Sequence, residues 1–514
     1  MTTLEELDEV GRQERFELLQ RRMRSVWDVM RLDHDDESVV VVPSVAVDGK
    51  ASAGLVQAFE ERFLFLLLLL RQPALRMTYV TSTPIKDSII EYYLALLPGV
   101  IPSHARTRLT LVSVDDATLR PLNEKLLERP RLLASIAAGI PNRARCHLIA
   151  YSTTERERDL ALHLGIPMYG SDPRLADLGS KTGCRGLFAQ EGVQHPSGAE
   201  DLRSREDVVD AVLAMVTARP STAQVIVKLN DGVSGNGNAV VDLRGLVAGR
   251  RDLRAQVADR VAVLELESAT MSRDDYWEKF ERGGGVVEER IMGDELRSPS
   301  VQLRVLPDGT VELLSTHDQL LGGPSGQRYL GCTFPADPAY SRLISAPAEV
   351  IGRRLAREGV LGRFAVDFVV VRDGSGAWTA HAIELNLRKG GTTHPFLTLQ
   401  FLTDGRYDGP SGRYLTSTGD EKHLVATDHL EAPELRALRV VDLFDVVARH
   451  GLHFDQSRQT GVVFHMISCL TELGRVGLTA VGDTPEQAMD LYRRAQEVLL
   501  AEATAAGRAR ALPG

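Results

Sequence analysis

The sequence predicts an α/β protein of several domains, the first of which holds a mostly parallel sheet. From Ser38 to about Gly170, β-like runs such as VVVVP, MTYVTS and LTLVSV alternate with helical runs. Such alternation is the pattern of βαβ units. The chain has 514 residues, of which 43% are hydrophobic, and this is enough for about two to four domains with sizeable cores.

Composition and charge narrow the class of partner. The formal net charge is -10, which argues against a nucleic acid or an anionic membrane, because both are bound mainly through excess lysine and arginine. Cys146, Cys184, Cys332 and Cys469 show no C-x-x-C spacing, so neither a zinc cluster nor a disulfide framework is predicted. The charged first residues lack the apolar core of a signal peptide. We therefore expect a reducing cytoplasm and a small or peptidic substrate.

The first 71 residues contain two helical signals. Phe16, Leu19, Met23, Val26 and Met30 recur at helical spacing, which predicts an amphipathic opening helix that packs on a domain or pairs two subunits. The run FLFLLLLL that follows is eight residues long, far short of the roughly 20 needed to span a bilayer. It predicts a helix buried on most sides. Because no G-x-G-x-x-G follows the first strand, the parallel-sheet domain is predicted to be a scaffold with part of a substrate pocket.

Polar side chains alternate with leucines in the segment HAIELNLRKGGTTHP. A period of two places Glu384, Asn386 and Arg388 on one face of a strand and the leucines on the other. Upstream, FAVDFVVV predicts a buried strand interrupted by Asp367, and the following Asp-Gly-Ser-Gly predicts a hairpin turn. Asp367 should therefore lie beside Glu384. Two carboxylates and an amide oxygen suit magnesium, and Arg388 adds a cation for a carboxylate or phosphoryl oxygen.

Two lysines and a glycine-rich loop indicate phosphate binding. Lys181 lies on a predicted helix, Lys228 ends an apolar strand, and the loop from Asn230 to Asn238 holds three glycines. Such a loop offers backbone N–H groups without side-chain bulk. The alternatives are a solvated lysine and an ordinary wide hairpin. No G-x-x-x-x-G-K-[ST] occurs, which excludes a P-loop.

The next two segments predict a nucleotide edge and a loop. In VVEERIMGDE a short strand runs into Glu288, with Glu295 seven residues later, a spacing that can place main-chain groups at adenine and a carboxylate at ribose. The polar, glycine-rich stretch from Thr316 to Asp337 is predicted to be a mobile active-site loop, since an ordinary connection is much shorter. Its polar side chains include His317, Gln319, Gln327 and Arg328.

After Glu431 the pattern predicts a small α/β unit with a final helix opened by Thr484-Pro485. His453, Asp455 and His465 in this unit allow a metal or catalytic interpretation. A core role is favoured for His465, because a histidine on a strand is more often a satisfied core residue than a ligand. A thiol activated by Lys181 is conceivable at Cys184, but a structural thiol is favoured.

In their order and intervals, these motifs resemble those of the ATP-grasp superfamily over residues 173 to 400, and the E-x-N-x-R core resembles that of its carboxylating and amide-ligating members. The resemblance implies that lysines and the glycine loop hold the nucleotide phosphates. It also implies that the EERI segment lines adenine and that Arg388 steadies an acyl phosphate. The implied residues are, for the nucleotide, Lys181, Lys228, Ser234, Gly235, Asn236, Gly237, Glu288, Glu289, Arg290, Ile291 and Glu295; for magnesium, Asp367, Glu384 and Asn386; for catalysis, Arg388 and Lys228.

A narrower resemblance, to peptide ligases of the pheganomycin type, covers nearly the whole chain and includes THDQLLGGPSGQRYLGCTFPAD and HFDQSRQTGVVFHM. It implies an N-terminal helix plus a Rossmann-like pre-ATP-grasp domain over 1–172, an ATP-grasp core over 173–425 and a small C-terminal α/β domain over 426–514. One departure concerns an arginine that some ligases of the superfamily place two residues before the metal aspartate. Here Ala365 takes that position, and Arg363 comes four residues before Asp367.

The predicted function is an ATP-dependent carboxylate-amine ligase of peptide natural product biosynthesis that works through an acyl phosphate. Its cofactors would be ATP and Mg²⁺, with Mn²⁺ as a substitute. The partners would be a small-molecule acid and an amino acid or peptide acceptor, without nucleic acid or membrane, in a monomer or homodimer. A bicarbonate-using carboxylase and a non-catalytic nucleotide-binding regulator are the alternatives.

Overall fold

The computed structural model of the chain describes residues 4–30, 36–45, 52–232, 235, 237–268, 270–322, 326 and 328–511. The predicted fold class is confirmed: an α/β architecture begins with a parallel sheet and continues through antiparallel sheets to a small C-terminal domain. Within the described ranges, no helix combines the length and the apolar character needed to cross a bilayer.

The N-terminal region is built around a parallel sheet of order β3-β2-β1-β4. Strand β1 is buried along its whole length, as expected for a β-branched run covered by helices on both faces. The elements are α1 Glu9–Gln20, α2 Met23–Met30, β1 Ser38–Val42, α3 Ala53–Glu61, β2 Arg76–Thr81, α4 Asp87–Ala95, α5 Pro102–Arg106, β3 Leu109–Ser113, α6 Leu122–Leu127, α7 Pro130–Ala138, β4 Cys146–Ala150 and α8 Glu155–Leu164, with 3-10 turns at Leu4–Glu6, Arg62–Arg71, Arg143–Arg145 and Pro173–Gly179.

A small antiparallel sheet of order β5-β9-β6-β7-β8 forms the next lobe. Helices α10, α11 and α12 pack their apolar sides on it, with Val212, Val257 and Phe280 fully buried. The elements are α9 Lys181–Gln190, β5 Gly198–Leu202, α10 Arg205–Ala218, β6 Gln224–Leu229, β7 Asn238–Asp242, α11 Leu253–Ala262, β8 Glu265–Leu266, α12 Arg273–Gly283 and β9 Gly285–Glu289.

A larger antiparallel sheet follows, in the order β10-β14-β11-β12-β13-β18-β20-β19, with β15 paired to β14. It runs without a break from the predicted catalytic hairpin into the C-terminal strands. The elements are β10 Glu295–Arg297, β11 Pro299–Val305, β12 Val311–Gly322, β13 Arg328–Phe334, α13 Pro338–Arg357, β14 Gly362–Arg372, β15 Trp378–Asn386, α14 Thr393–Thr403, β16 Arg406–Asp408, β17 Arg413–Leu415, β18 His423–Glu431, α15 Val440–Arg449, β19 Gly461–His465, α16 Cys469–Leu473, β20 Arg475–Gly482 and α17 Pro485–Ala511, with a 3-10 turn at Pro433–Ala437.

The two helical predictions near the N-terminus need adjustment. The opening helix is divided into α1 and α2, which meet at Arg21 and Arg22, and Phe16 is buried against the parallel sheet. The FLFLLLLL run is buried, as predicted, but it forms a 3-10 helix over Arg62–Arg71. It is apolar all round because it packs between the parallel sheet, α14 and the C-terminal strands.

The prediction of a mobile loop from Thr316 to Asp337 is wrong. Most of this stretch belongs to β12 and β13. The two strands pair antiparallel, with Asp318 opposite Thr333 and Gly322 opposite Arg328. The glycines and polar residues suggested a loop, but His317 is fully buried against Phe334 and bonds to Ser315 through Nε2 at 2.9 Å. Gln327 lies outside the described residues.

Candidate active site

The hairpin of β14 and β15 brings the predicted oxygen ligands together. Asp367 lies directly opposite Glu384, and Asn386 lies opposite Ala365. The amide Nδ2 of Asn386 donates to Asp367 Oδ2 at 3.1 Å. Leu385, between the two polar residues, is fully buried on the opposite face, as the alternation predicted. The neighbouring positions of the three side chains are therefore confirmed, while their metal-binding role stays a prediction.

Negative charge is concentrated on this face and partly balanced by a lysine. Burial, and then the charge of Glu384, raises the pKa of Asp367 to about 6. Burial also acts to raise the pKa of Glu384, but Lys181 outweighs it and lowers that pKa. The Lys181 ammonium lies 2.5 Å from Glu384 Oε1. Two facing carboxylates that share one cation form a site suited to a further positive ion.

Local turn geometry fixes the position of Lys181 at the start of α9. Ser180 caps the helix by accepting from the Gly183 amide at 2.9 Å. A side chain at position 183 would place its Cβ 1.9 Å from the Asp177 carbonyl oxygen, so glycine is required for the tight approach of the preceding 3-10 turn. The cap and this glycine together hold the buried Lys181 against β15.

The second predicted lysine, Lys228, forms an ion pair with Glu288 across strands β6 and β9. Glu288 also receives Arg185 Nη1 at 3.2 Å. Burial opposes ionisation of Glu288, yet Lys228 and Arg185 lower its pKa. The charge of Lys228 contributes to lowering the pKa of Glu384 as well, after burial and Lys181. The small lobe and the large sheet therefore direct their charged groups at one region.

The glycine-rich loop joins β6 to β7. Gly235 has a φ of +79°. A Cβ at position 237 would lie 2.8 Å from the Gly232 Cα, so the backbones of the two arms of the loop are in direct contact. The predicted residues Ser234 and Asn236 lie outside the described residues. Asn230 ties the loop to α9 by accepting from the Thr182 amide at 3.0 Å.

The predicted nucleotide edge after β9 has mixed surroundings. Glu288 turns its carboxylate toward Lys228 inside the lobe, and Glu289 pairs with Arg219 at 2.8 Å. The Arg290 amide donates to the Gln224 carbonyl oxygen, and Ile291 is half-buried beyond the strand end. Glu295 pairs with Arg297 and Arg372 at the edge of the large sheet. Their roles at adenine and ribose stay predictions.

Arg388 was predicted on the same strand as Glu384 and Asn386, but β15 ends at Asn386 and Arg388 lies in the bend that follows. From there it connects the polar face to the N-terminal domain. Its Nη1 donates to Tyr151 Oη at 3.1 Å, and its guanidinium lies 5.6 Å from that ring's centroid. Arg62 lies 5.6 Å from the same centroid. Burial acts to raise the pKa of Tyr151, but the two arginines lower it overall. Tyr151 directly follows β4. Ligand-binding groups are usually found at the carboxyl ends of parallel strands, so its position in the sequence could have marked Tyr151 as a candidate.

Sequence reasoning missed Arg185, Asn230, Thr182 and Tyr151, each of which supports a predicted residue. Their contacts join residues that are 48 to 237 positions apart in the sequence, a separation at which strand and helix periodicity carries no information. Asn230 had a weak signal, because Asn-Asp-Gly is a turn sequence.

The remaining candidates from the sequence are Cys184, His453, Asp455 and Arg363. Burial raises the pKa of Cys184 to about 11, so this thiol has a structural environment, as favoured. His453 is exposed, and Asp455 makes local turn contacts with Ser457 and Arg458. Burial, foremost among several influences, lowers the pKa of Arg363 to about 10. Arg363 lies opposite Arg304 in the sheet.

Comparisons with known families and proteins found matches that together span most of the chain. A family model described as "IQCH-like, ATP-grasp" matches residues 173–258 and 252–409, and one described as "PGM1 C-terminal domain" matches residues 442–495. The L-propargylglycine–L-glutamate ligase of Streptantibioticus cattleyicolor is 29% identical over 449 residues, which cover 86% of this chain and 89% of that protein. IQ motif-containing protein H of Danio rerio is 25% identical over 347 residues, which cover 59% of this chain and 33% of that protein.

Solved structures match the fold over most of the chain. The biotin carboxylase domain of the Hydrogenobacter thermophilus 2-oxoglutarate carboxylase has a TM-score of 0.54 at 12% identity, covering 90% of this chain and 89% of that chain. A biotin carboxylase from Campylobacter jejuni has a TM-score of 0.51 at 13% identity, covering 91% and 95%. At these identities the likeness concerns architecture alone.

Proposed function

We propose that the chain, as a member of the ATP-grasp superfamily, is an ATP-dependent carboxylate-amine ligase. The observation that carries the proposal is the polar cluster in which Asp367, Glu384 and Asn386 lie beside Lys181 and within the field of Lys228. The 29% identity to an amino-acid ligase over most of both chains supports an amide-forming reaction.

Magnesium fits the donor set of this cluster. Asp367, Glu384 and Asn386 would hold it through oxygen atoms, and the crowding of two carboxylates on one face favours a further cation. When bound, Mg²⁺ supplies positive charge that neutralises phosphate oxygens during phosphoryl transfer. Mn²⁺ would be accepted as a substitute because it takes the same oxygen ligands.

Each remaining predicted residue has a role in binding the nucleotide. Lys181 and Lys228 would contact phosphate oxygens, and Glu288 holds Lys228 in place. The backbone of the loop that includes Gly235 and Gly237 would cover the phosphates. In this proposal, Ser234 and Asn236 belong to that loop, the segment Glu288, Glu289, Arg290 and Ile291 lines adenine, and Glu295 binds ribose.

The reaction would proceed in two transfers. A carboxylate oxygen of the acid attacks the γ-phosphorus of ATP, the bond to the β-γ bridging oxygen breaks, and ADP leaves. The neutral amine then attacks the carbonyl carbon of the acyl phosphate, the C–O bond breaks, and inorganic phosphate leaves together with the proton that the amine nitrogen loses. Arg388, held by Tyr151, would bind the phosphorylated carboxyl group and stabilise the charge that develops there. This scheme needs no covalent enzyme nucleophile.

The acid and the amine are proposed to be amino acids or short peptides. The name of the Streptantibioticus relative states that it joins two amino acids, and its match extends over 86% of this chain. We place the chain in the cytoplasm, where ATP is abundant. A homodimer through α1 is proposed because Val10 and Leu18 are 66% and 61% exposed there.

The test is a product assay on the purified chain with ATP, Mg²⁺ and pools of amino acids and short peptides. ADP and phosphate should form in the presence of both an acid and an amine, with an amide product visible by mass spectrometry. AMP and pyrophosphate as products would contradict the proposal. ATP turnover that responds to bicarbonate instead would favour a carboxylase, and no turnover above that of Glu384→Gln would favour a nucleotide-binding regulator. Glu349→Gln, on an outer helix, is the matched control and should behave as wild type.

A further inference from the structure

A second polar cluster lies outside the proposed active site, in the interior next to the C-terminal strands. His394 is near the start of α14, Asp428 is on β18, and His465 ends β19. Their side chains are only 4 to 5% exposed. The Nε2 atom of His465 lies 2.7 Å from Asp428 Oδ1, the Nε2 atom of His394 lies 3.3 Å from the same oxygen, and the two Nε2 atoms are 3.1 Å apart.

Hydrogen bonds cannot account for all three contacts among these atoms. Each neutral imidazole Nε2 either donates or accepts, so three mutual contacts among two nitrogens and one carboxylate oxygen leave one contact without a proton between the atoms. The circle through the three atoms has a radius of about 1.8 Å from those distances. An ion about 1 Å above their plane would be about 2.0–2.1 Å from each atom, which is the bond length of zinc to imidazole and carboxylate.

We propose that His394, Asp428 and His465 bind one divalent transition-metal ion of the zinc class. The site has two imidazoles and one carboxylate, so its preference differs from that of the oxygen-only face of Asp367 and Glu384. Three protein ligands leave the fourth tetrahedral position open.

The surroundings are built to present these three atoms. Arg62 Nη1 binds the other carboxylate oxygen of Asp428 at 2.7 Å, which leaves Oδ1 to face the histidines. A Cβ at position 477 would lie 2.1 Å from His465 Nε2, so glycine there admits the ring. The charge of Arg62 beside a divalent ion makes an anion, such as hydroxide, the preferred fourth ligand.

The location gives the ion a positioning role. It would join α14, which follows the E-x-N-x-R segment, to two C-terminal strands. Asp428 holds Arg62, Arg62 lies over the ring of Tyr151, and Tyr151 accepts from Arg388. The ion would therefore fix the far end of a contact series that ends at the residue proposed to bind the acyl phosphate.

The test measures metal content, so its result is independent of ligase activity. The full chain is loaded with Zn²⁺, desalted and analysed by inductively coupled plasma mass spectrometry. We expect about one retained zinc per chain, falling at least tenfold in His394→Gln and His465→Gln. His453→Gln, an exposed histidine of the same C-terminal region, should retain the wild-type amount.

Wild-type protein without retained zinc, or two cluster variants that retain as much as wild type, would overturn the proposal. If circular dichroism shows that a cluster variant is unfolded, X-ray absorption at the zinc edge on the loaded wild type decides. Two imidazole ligands in the first shell support the site, and a shell without two imidazoles contradicts it.

Discussion

Glu288 and Glu384 are both glutamates paired with a buried lysine, yet their surroundings differ. Glu288 has a side chain that is 2% exposed and is held by both Lys228 and Arg185. Glu384 has a side chain that is 26% exposed, pairs directly with Lys181, lies within the longer-range field of Arg388 and Lys228, and faces a second carboxylate, Asp367. Glu288 thus pairs directly with two cations, and Glu384 with one.

This difference suits Glu288 to a structural role and Glu384 to binding a cation. A buried carboxylate with two cations and no access to solvent is already compensated. A partly exposed pair of carboxylates with one directly paired cation is stabilised by an additional cation. Substitution of the two glutamates should therefore affect two separate properties, stability at Glu288 and turnover at Glu384.

The largest expected effect is on turnover in Glu384→Gln. This near-isosteric change removes one of the two charges from the proposed magnesium face, and we expect kcat for ATP turnover to fall by about a thousandfold, equivalent to about 4 kcal/mol. Steady-state ADP release measures kcat, and a cooperative thermal melt shows that the variant is folded. Retention of more than a tenth of wild-type kcat would contradict the role given to Glu384.

Glu288→Ala should chiefly lower stability. Removing this carboxylate leaves the buried Lys228 and Arg185 without their shared partner, and we expect the free energy of unfolding to fall by about 3 kcal/mol. Urea denaturation followed by fluorescence measures it. The neighbouring Glu289→Ala is the control, because its pair with Arg219 is solvent-exposed and should contribute less than about 1 kcal/mol. Equal losses in the two variants would mean that Glu288 is not a compensating partner.

Arg388→Lys tests the edge of the open site. Lysine keeps the charge but loses the planar fork that binds Tyr151 and would bind a phosphorylated carboxyl group. We expect kcat/KM for the acid substrate to fall about 30-fold, equivalent to about 2 kcal/mol. Arg413→Lys, whose arginine pairs with Glu421 on the surface, should be unchanged. An unaltered kcat/KM in Arg388→Lys would mean that position 388 requires only a positive charge, and would contradict the role given to the planar guanidinium.

The smallest expected effect concerns Glu60, a buried carboxylate without a close ion-pair partner among the described residues. Burial raises the pKa of Glu60 from 4.5 to about 7, against the Ser82 hydrogen bonds. Between these values the folded state keeps a proton that the unfolded state loses, so stability falls as pH rises through this window. Between pH 5 and pH 8, the free energy of unfolding should therefore fall less in Glu60→Gln than in wild type, by about 1 kcal/mol or more. Urea midpoints at pH 5 and pH 8 measure the change; identical slopes in both proteins would contradict it.

Sequence periodicity was sufficient for the hairpin of Asp367 and Glu384, because alternation and a four-residue turn define register locally. It was also sufficient for the parallel sheet. It failed where burial depends on distant partners: Tyr151 meets Arg388 across 237 positions. The stretch around His317 looked like a loop because its glycines and polar residues are local signals, whereas its pairing as β12 and β13 depends on neighbouring strands.

The unbroken sheet limits how this chain can be shortened or recombined. Strand β18 hydrogen-bonds to β13 on one side and to β20 on the other, and the predicted boundary after residue 425 falls inside it. A protein ending there would present β13 as an uncovered strand edge, which invites pairing between molecules. The C-terminal strands are therefore an integral part of the large sheet, and gene fusions should keep them in place.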